Sequence, residues 1–236
     1  MFAFGNKMLI KVPCNDMVKR RLIETDELIK SELHAQMFDK MMRGERDKGW
    51  LGTDDIIKTG IRHGLALEIG SGPGYLGLEW LKETLGTNLK AVEISPAMIV
   101  IAKKNTIEYD LEARIEYING DAQELPFDDD MFNGVFSRFS LHEWKQPTKI
   151  FNEIYRVLRP GGIYYISDLR RDMNLLLRWF VPLMIKQKEM KQSYISSVNA
   201  SYTYEEISTI LEESKLKGCI IKKDIGGLVI MGEKVI

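Results

Sequence analysis

The sequence of 236 residues has little cysteine, no excess of either charge and no long uninterrupted apolar run. Cys14 and Cys219 are far apart and form no CxxC pair, so the sequence supports neither a zinc site nor a disulfide framework and favours a reducing compartment. The 33 basic and 34 acidic residues nearly balance, so no global basic bias points to nucleic acid or anionic lipid, although a local patch stays open. The length allows one to two domains.

Neither of the two apolar segments has the length or continuity that a membrane span requires. The N-terminal residues are interrupted by Lys7 and Lys11, which makes a signal peptide improbable. Residues Leu175 to Ile185 contain Arg178 and Pro182 and fall short of the roughly 20 apolar residues that cross a bilayer. We expect a buried or lid segment there, no membrane span and a cytoplasmic protein. No metal site is expected, because Asp128 to Asp130 are typical of a solvated turn.

The first fifty residues differ in pattern from the rest of the chain. From residue 16 to about 48, apolar residues recur at spacings of four and seven between charges, which predicts one or two amphipathic helices. They would cover a core or form a lid over a ligand. The predicted organisation is therefore a helical extension over residues 1–50 and a main domain over residues 51–236.

From Gly64 onward, short apolar runs alternate with longer helical ones. Strands are predicted at Leu65–Ile69, Leu89–Ile94, Arg114–Asn119, Phe132–Ser137 and Gly162–Asp168. Helices are predicted at Tyr75–Leu85, from the N-cap Ser95 to about Tyr109, and at Pro147–Leu158, before a Pro-Gly-Gly breaker. This alternation is typical of an α/β fold in which helices cover both faces of a mostly parallel sheet.

The C-terminal part departs from this alternation. Thr203 and Glu206 form a capping box for a helix to about Leu216. Two β runs then follow, separated only by Gly226-Gly227, which predicts an antiparallel hairpin. The predicted fold is thus a Rossmann-like, mostly parallel, seven-stranded sheet that ends in an antiparallel hairpin.

The glycine-rich segment Leu67–Gly77 lies between the first strand and the first helix of this pattern. Gly70, Gly72 and Gly74 allow a sharp turn with no side chain between backbone and ligand. In an open parallel sheet such a loop lies at the edge where ligands bind. The loop is therefore the first candidate for a ligand site.

The same glycines leave two ligand classes open. Gly72, Gly74 and Gly77 fit GxGxxG, and Glu93 follows about 20 residues on, as in dinucleotide-binding folds. A nicotinamide oxidoreductase is therefore one alternative. The Glu68 carboxylate argues against this alternative, because it lies just before the loop and would be unfavourable beside a pyrophosphate. Three later features also argue against it. These are Gly120-Asp121-Ala122 after the third strand, the Arg159–Gly162 breaker, and the terminal hairpin.

Five motifs in this order resemble the class I S-adenosylmethionine-dependent methyltransferases, in the branch of the ubiquinone/menaquinone-biosynthesis enzymes (the type-11 methyltransferase domain). They are LEIGSGPG (67–74), VEISPAMI (92–99), GDAQELPF (120–127), SLHEW (140–144) and RVLRPGG (156–162). The resemblance covers about Leu65 to Asp168 well, the terminal helix and hairpin loosely, and the first fifty residues hardly at all.

The resemblance implies S-adenosylmethionine as cofactor, and it assigns a role to each candidate residue. Glu68 and the Gly70 backbone, in the loop with Gly72 and Gly74, would face the amino acid tail, and Glu93 would accept from both ribose hydroxyls. The remaining contacts would come from Ile94 and Met98 on the adenine faces, Asp121 and the Ala122 amide at its edge, and the Ser137 carbonyl near the tail.

The implied reaction is an in-line displacement at the methyl carbon, in which positioning in a water-poor pocket is the main contribution. His142 is the candidate general base, although it could instead line the pocket or bond the backbone. Trp179, Phe180, Met184 and Met190 suggest a small apolar or aromatic acceptor, and no nucleic acid partner is expected. A module that binds the cofactor without catalysis is the second alternative. Sequence does not indicate the oligomeric state.

Overall fold

The computed structural model describes residues 20–22, 32–185 and 187–235. Its sheet has seven strands in the order β3-β2-β1-β4-β5-β7-β6. Strands β1 to β5 are parallel, and β7 pairs antiparallel with both β5 and β6. The predicted α/β fold is therefore confirmed. The strands are β1 Leu65–Ile69, β2 Asn88–Glu93, β3 Ile115–Asn119, β4 Phe132–Arg138, β5 Leu158–Leu169, β6 Ile220–Lys223 and β7 Gly227–Glu233.

Helices cover both faces of the sheet, because successive side chains of a strand point to opposite faces. On β4, Val135 belongs to the core that α5 and α8 cover, and Phe136 belongs to the core against α3. The helices are α1 Glu32–Asp47, α2 Thr53–Lys58, α3 Tyr75–Glu83, α4 Pro96–Glu108, α5 Pro147–Val157, α6 Leu175–Met184, α7 Lys188–Ala200 and α8 Tyr204–Glu212, with a 3-10 turn at Leu141–Glu143. No helix in these ranges is long and apolar enough to cross a membrane.

Two helix starts form as the capping residues predict. The Ser95 hydroxyl accepts from the Met98 amide at 3.5 Å at the start of α4. At the start of α8, Thr203 Oγ1 accepts from the Glu206 amide at 3.1 Å, and the Glu206 carboxylate accepts from the Thr203 amide at 2.8 Å. Helix α8 is shorter than predicted and ends at Glu212, because the Ser214 hydroxyl bonds the Leu211 carbonyl and starts a turn.

The fifth strand begins earlier than predicted, at Leu158 instead of Gly162. The Pro-Gly-Gly breaker does not separate helix from strand but forms an irregularity inside β5, where the register shifts opposite Phe132 and Gly134. The Gly161 amide, at a positive φ of 75°, donates to the Lys234 carbonyl. The breaker therefore bends the strand and does not end it.

The predicted N-terminal helix is wrong at residues 20–22, which are irregular. The Leu22 amide donates to the Asn199 carbonyl at 3.1 Å. Arg21 donates to the carbonyls of Ala200 and His142. These tertiary hydrogen bonds replace the helical ones. Residues 1–19 and 23–31 lie outside the described residues, so α1 is the part of the predicted extension that can be compared.

Candidate functional site

A cavity opens where the parallel strands β1, β2, β3 and β4 end. Its wall includes the loop after β1, the β2 end at Glu93, the loop after β3, and the segment from Arg138 to Lys145 after β4. Helix α1 adds Phe38 and Met42. Eight of the eleven predicted site residues line this cavity: Glu68, Gly70, Gly72, Glu93, Ile94, Met98, Asp121 and Ala122.

The loop after β1 requires glycine for two reasons. Gly70 and Gly72 have positive φ values of 70° and 52°, which side chains rarely adopt. A Cβ on Gly70 would also collide with Ser140, and one on Gly72 would lie 3.2 Å from a ring carbon of Phe38. Gly74 does not line the cavity. It precedes α3, with its own positive φ of 88°.

The Glu93 carboxylate links this loop to the end of β2. Its Oε2 accepts from the Gly72 amide at 2.8 Å, and its Oε1 accepts from the Ser95 amide at 2.9 Å. The side chain is buried, and burial raises its pKa although these two amides lower it. The Ile94 amide also lowers this pKa, and the lone pairs that remain on the carboxylate can accept from a ligand. The Glu93 carboxylate therefore has a structural role, and its role in accepting from the ribose hydroxyls stays a prediction.

Glu68, near the end of β1, is buried without a complete set of partners. Its Oε2 makes no hydrogen bond of ordinary geometry within the described residues. Burial raises the pKa of Glu68 well above its usual value, the charge of Glu93 raises it further, and the Gly77 amide lowers it. A Cβ on Gly77 would collide with this carboxylate and with Leu89. The third glycine of the GxGxxG pattern thus makes room for Glu68.

The remaining predicted contacts are distributed around the same opening. Ile94 is 45% exposed, whereas Met98 is only 5% exposed. The Asp121 carboxylate accepts from the backbone and side-chain amides of Gln123 at 2.9 and 3.0 Å, which is the geometry of a capped turn. Ala122 follows at the cavity wall.

Comparison with known proteins identifies the class of site. Residues 67–166 match the family model of the methyltransferase domain. Over these residues the sequence is similar to the methyltransferase-domain family. The sequence resemblance to the class I S-adenosylmethionine-dependent methyltransferases, similar to the ubiquinone/menaquinone branch, is therefore confirmed, and S-adenosylmethionine is the cofactor that the family implies.

Individual relatives agree with this assignment. A demethylmenaquinone methyltransferase of Clavibacter sepedonicus is 30% identical over 124 residues, 49% of each chain. The ubiquinone/menaquinone biosynthesis C-methyltransferase of Rickettsia prowazekii is 25% identical over 69% of this chain and 72% of its own. The match to the first spans only about half the length of that relative.

Solved structures show the same fold. A protein of Methanococcus maripaludis, assigned to the S-adenosyl-L-methionine-dependent methyltransferases, is 26% identical, with a TM-score of 0.73 over 90% of this chain and 96% of its own. A methyltransferase of Aquifex aeolicus superposes with a TM-score of 0.64 at 18% identity, over 87% of this chain and 99% of its own.

The residues of this methyltransferase domain fit the cofactor of its class. The cavity contains two buried carboxylates, Glu68 and Glu93, and the Glu68 carboxylate has an unsatisfied oxygen. Burial and mutual repulsion make both negative charges costly without a positively charged ligand. A ligand that carries a sulfonium, an ammonium and a diol supplies the missing charge and donors. In the described ranges, no group of three or more His, Cys, Asp or Glu side chains is placed to hold a metal.

Two predicted site residues lie behind the wall of the methyltransferase cavity. Ser137 is fully buried in β4, and its hydroxyl donates to the Ile69 carbonyl at 2.8 Å. His142 is also buried, with Nδ1 3.0 Å from both oxygens of the Asp168 carboxylate. The His142 amide donates to the same carboxylate at 2.6 Å. Neither residue lines the cavity.

Sequence reasoning missed several residues of the methyltransferase site. Asp168 ends the predicted fifth strand, and this strand-end carboxylate was an available signal. Phe139 adopts a positive φ of 54°, which bulky residues rarely do. No sequence motif predicted this conformation. Other cavity residues that received no predicted role include Phe38, Met42, Arg138, Ser140 and Trp144.

Proposed function

We propose that this chain transfers a methyl group from S-adenosylmethionine to a small apolar or aromatic acceptor. The observation that carries the proposal is the pair of buried carboxylates, Glu68 and Glu93, in one cavity behind a glycine loop. This arrangement favours a cationic ligand and disfavours the pyrophosphate of a nicotinamide nucleotide. It supports the methyltransferase over the oxidoreductase.

The predicted cofactor contacts that line the cavity keep their roles as part of this proposal. Glu68 and the Gly70 backbone would hold the amino acid tail, while Glu93 would accept from the ribose hydroxyls. Ile94 and Met98 would contact the adenine faces, and Asp121 with the Ala122 amide would bind its edge. The cofactor supplies an electrophilic methyl group, so the main tasks of these residues are to orient it and to exclude water.

The acceptor class follows from the rest of the cavity wall. Phe38 and Met42 of α1, together with Phe139, Trp144 and Ile150, give that wall a mostly apolar and aromatic character. Such a surface binds flat apolar molecules. Two of the curated relatives are named for acceptors that contain rings, demethylmenaquinone and the 3''-oxygen of erythromycin. We infer a ring-containing small molecule, with a quinol-like acceptor as the first to test.

A role for His142 as general base is a hypothesis, and the alternative is a role in positioning other residues. Its hydrogen bonds to Asp168 orient the ring, as a base requires. However, the ring lies behind residues that line the cavity, such as Ser140 and Glu143. We favour a positioning role in which the His142–Asp168 pair fixes the turn that carries Glu143 to the cavity.

The test combines binding with turnover. Calorimetry should show binding of S-adenosylmethionine and S-adenosylhomocysteine but not of nicotinamide nucleotides. A methyl-donor assay with mass-spectrometric detection across quinols, phenols, amines and thiols should then show transfer to an aromatic acceptor. Binding without transfer to any acceptor, together with a stable protein complex in pull-downs, would favour the non-catalytic alternative. Absence of cofactor binding by folded protein would reject the proposal.

A further inference from the structure

Helix α6 exposes its large apolar side chains to solvent. Six of its ten residues form this exposed set: Leu175 (53%), Leu176 (67%), Trp179 (76%), Phe180 (61%), Leu183 (65%) and Met184 (80%). They form three adjacent pairs that repeat every four residues, which places them on one side of the helix. A helix at the surface of a globular protein normally turns its apolar side inward, so α6 is inverted.

Hydrogen bonds hold α6 in this inverted orientation. Its one charged residue, Arg178, donates to the Asn199 side chain on α7 at 2.7 Å and to the Arg171 carbonyl at 3.2 Å. Asn174 caps the helix by accepting from the Leu176 amide at 2.8 Å. Pro182 is buried. The side of α6 that carries Arg178 and Pro182 is therefore fixed against the protein, and six large apolar side chains are presented outward.

The sequence around α6 is positively charged although the whole chain is not. From Arg170 to Gln192 there are six basic residues and two acidic residues, whereas the chain as a whole has a net charge of −1. Arg170 and Arg171 form ion pairs within the protein. Lys188, at the start of α7, is exposed and Lys191 is half-buried. Arg178 is also bonded within the protein, so the basic flank of the apolar surface consists of Lys188 and Lys191, which lie on either side of the exposed Glu189.

We propose that α6 docks into the headgroup region of an anionic lipid bilayer. Interfacial helices combine Trp, Phe and Leu on one side with Lys or Arg beside it, and Trp is enriched at the level of the headgroups. The basic flank complements anionic lipid. A second copy of the chain is the weaker candidate, because a twofold contact through this surface would bring two basic flanks together.

Docking through α6 would also place the cavity near the membrane. Helix α7 packs against α6 and against the 3-10 turn Leu141–Glu143. Glu143 and the following Trp144 line the cavity, and the Trp144 carbonyl accepts from Tyr202 at 2.7 Å, just beyond α7. The proposed membrane surface and the cavity wall are therefore connected through one helix. The inference does not depend on the proposed methyl transfer.

The test is co-sedimentation of the full chain with vesicles. Vesicles of equal parts phosphatidylglycerol and phosphatidylcholine should bind the protein, pure phosphatidylcholine should bind it more weakly, and added salt should weaken the first interaction. The triple variant L176Q/W179Q/F180Q should bind anionic vesicles at least about tenfold more weakly. The matched control L85Q/V100Q/I107Q changes three residues that are equally exposed elsewhere and should bind normally.

Two results would overturn this proposal. The first is a failure of the folded wild-type chain to bind anionic vesicles. The second is a dimer in sedimentation velocity that the α6 triple variant abolishes, without any difference between the variants in vesicle binding. The charge-reversed variant K188E/K191E should also weaken binding, and an unchanged affinity would contradict the assigned role of the basic flank. Circular dichroism verifies that each variant is folded.

Discussion

At the scale of single residues, Glu93 combines a structural task with a proposed binding task, and one substitution tests the second. Its carboxylate accepts from the Gly72 and Ser95 amides, and we propose that it also accepts from the ribose hydroxyls. In Glu93→Gln one acceptor oxygen and the charge are lost. Hydrogen bonds to a charged group are worth about 1.5–3 kcal/mol, so affinity for S-adenosylhomocysteine should fall about 10- to 100-fold in calorimetry.

Glu116 provides the matched control for Glu93. It lies on the neighbouring strand β3, and its exposed carboxylate pairs with Lys90. Glu116→Gln should leave the affinity within twofold of the wild type. Equal affinities for the wild type and a folded Glu93→Gln variant would remove the ribose role and leave Glu93 a structural residue.

Glu68 should make the stability of the cofactor-free protein depend on pH. Burial and the charge of Glu93 raise the pKa of Glu68, so the folded state holds a proton that the unfolded chain releases above about pH 4.3. The contribution of Glu68 to stability is therefore greatest below that pH and falls as the pH rises towards the folded pKa. Glu68→Gln should flatten this fall, which thermal denaturation from pH 4 upward measures.

The Glu68→Gln variant should also show the opposite effect on ligand binding. Its cofactor-free form should be more stable than the wild type at neutral pH, while its affinity for S-adenosylmethionine should be lower. Glu153→Gln is a suitable contrast, because the Arg156 side chain lowers the pKa of that carboxyl. If the melting temperatures of Glu68→Gln and the wild type ran parallel at every pH, the buried carboxylate would not be the cause.

His142 allows the positioning role to be distinguished from the base role. The buried Asp168 carboxylate accepts from both its ring and its backbone amide. His142→Asn removes the hydrogen bond between the imidazole ring and the Asp168 carboxylate, which should decrease the free energy of unfolding by about 1–3 kcal/mol. The pH profile of kcat should keep its shape. Loss of an ionisation from that profile together with at least about a 100-fold decrease in kcat would instead establish a general base.

At the scale of helices and strands, the sequence predicted those elements whose ends carry a local signal. Ser95 with Pro96 and the Thr203–Glu206 box each started a helix where predicted. The prediction that the segment at Pro160 separates a helix from a strand was wrong. Pairing with β4 and a hydrogen bond to the Lys234 carbonyl continue the strand through this segment. The outward orientation of α6 was also missed, because an apolar pattern does not say which side of a helix the protein covers.

Helix α1 shows how tertiary hydrogen bonds attach an element to the domain. The Asp39 carboxylate accepts from the Tyr75 hydroxyl at 2.9 Å and from the Asn105 side chain at 3.0 Å. Asp39→Ala should destabilise the fold by about 1–3 kcal/mol, which corresponds to a decrease in Tm of about 2–4 °C per kcal/mol. It should also raise the KM for the acceptor, because Phe38 and Met42 on α1 line the cavity.

Asp54 on α2 is the control for Asp39. It is 74% exposed and lies 4.0 Å from Lys58, and exposed ion pairs contribute little. Asp54→Ala should change Tm by no more than about 1–2 °C. Similar losses in the two variants would show that the Asp39 hydrogen bonds do not hold α1 in place.

At the scale of the whole molecule, the site unites residues that are far apart in sequence. The motifs between Leu67 and Ala122 predicted the part built on β1, β2 and β3, because parallel strands end at one edge. They did not predict Phe38 and Met42, whose place depends on how α1 packs. They also did not predict that β7 inserts between β5 and β6, because both orders of a hairpin have the same local pattern.

The cofactor should stabilise the whole domain, because its proposed contacts come from the ends of three neighbouring strands, β1, β2 and β3. A ligand at 100 times its Kd adds about 2.7 kcal/mol to the free energy of unfolding. For a chain of this length the increase in Tm is about 5–11 °C. S-adenosylhomocysteine should produce this shift in thermal denaturation, and Glu93→Gln should reduce it at the same ligand concentration. An equal increase in Tm with NADH would instead support the alternative function of a nicotinamide oxidoreductase, since Gly72, Gly74 and Gly77 also fit the dinucleotide-binding glycine pattern.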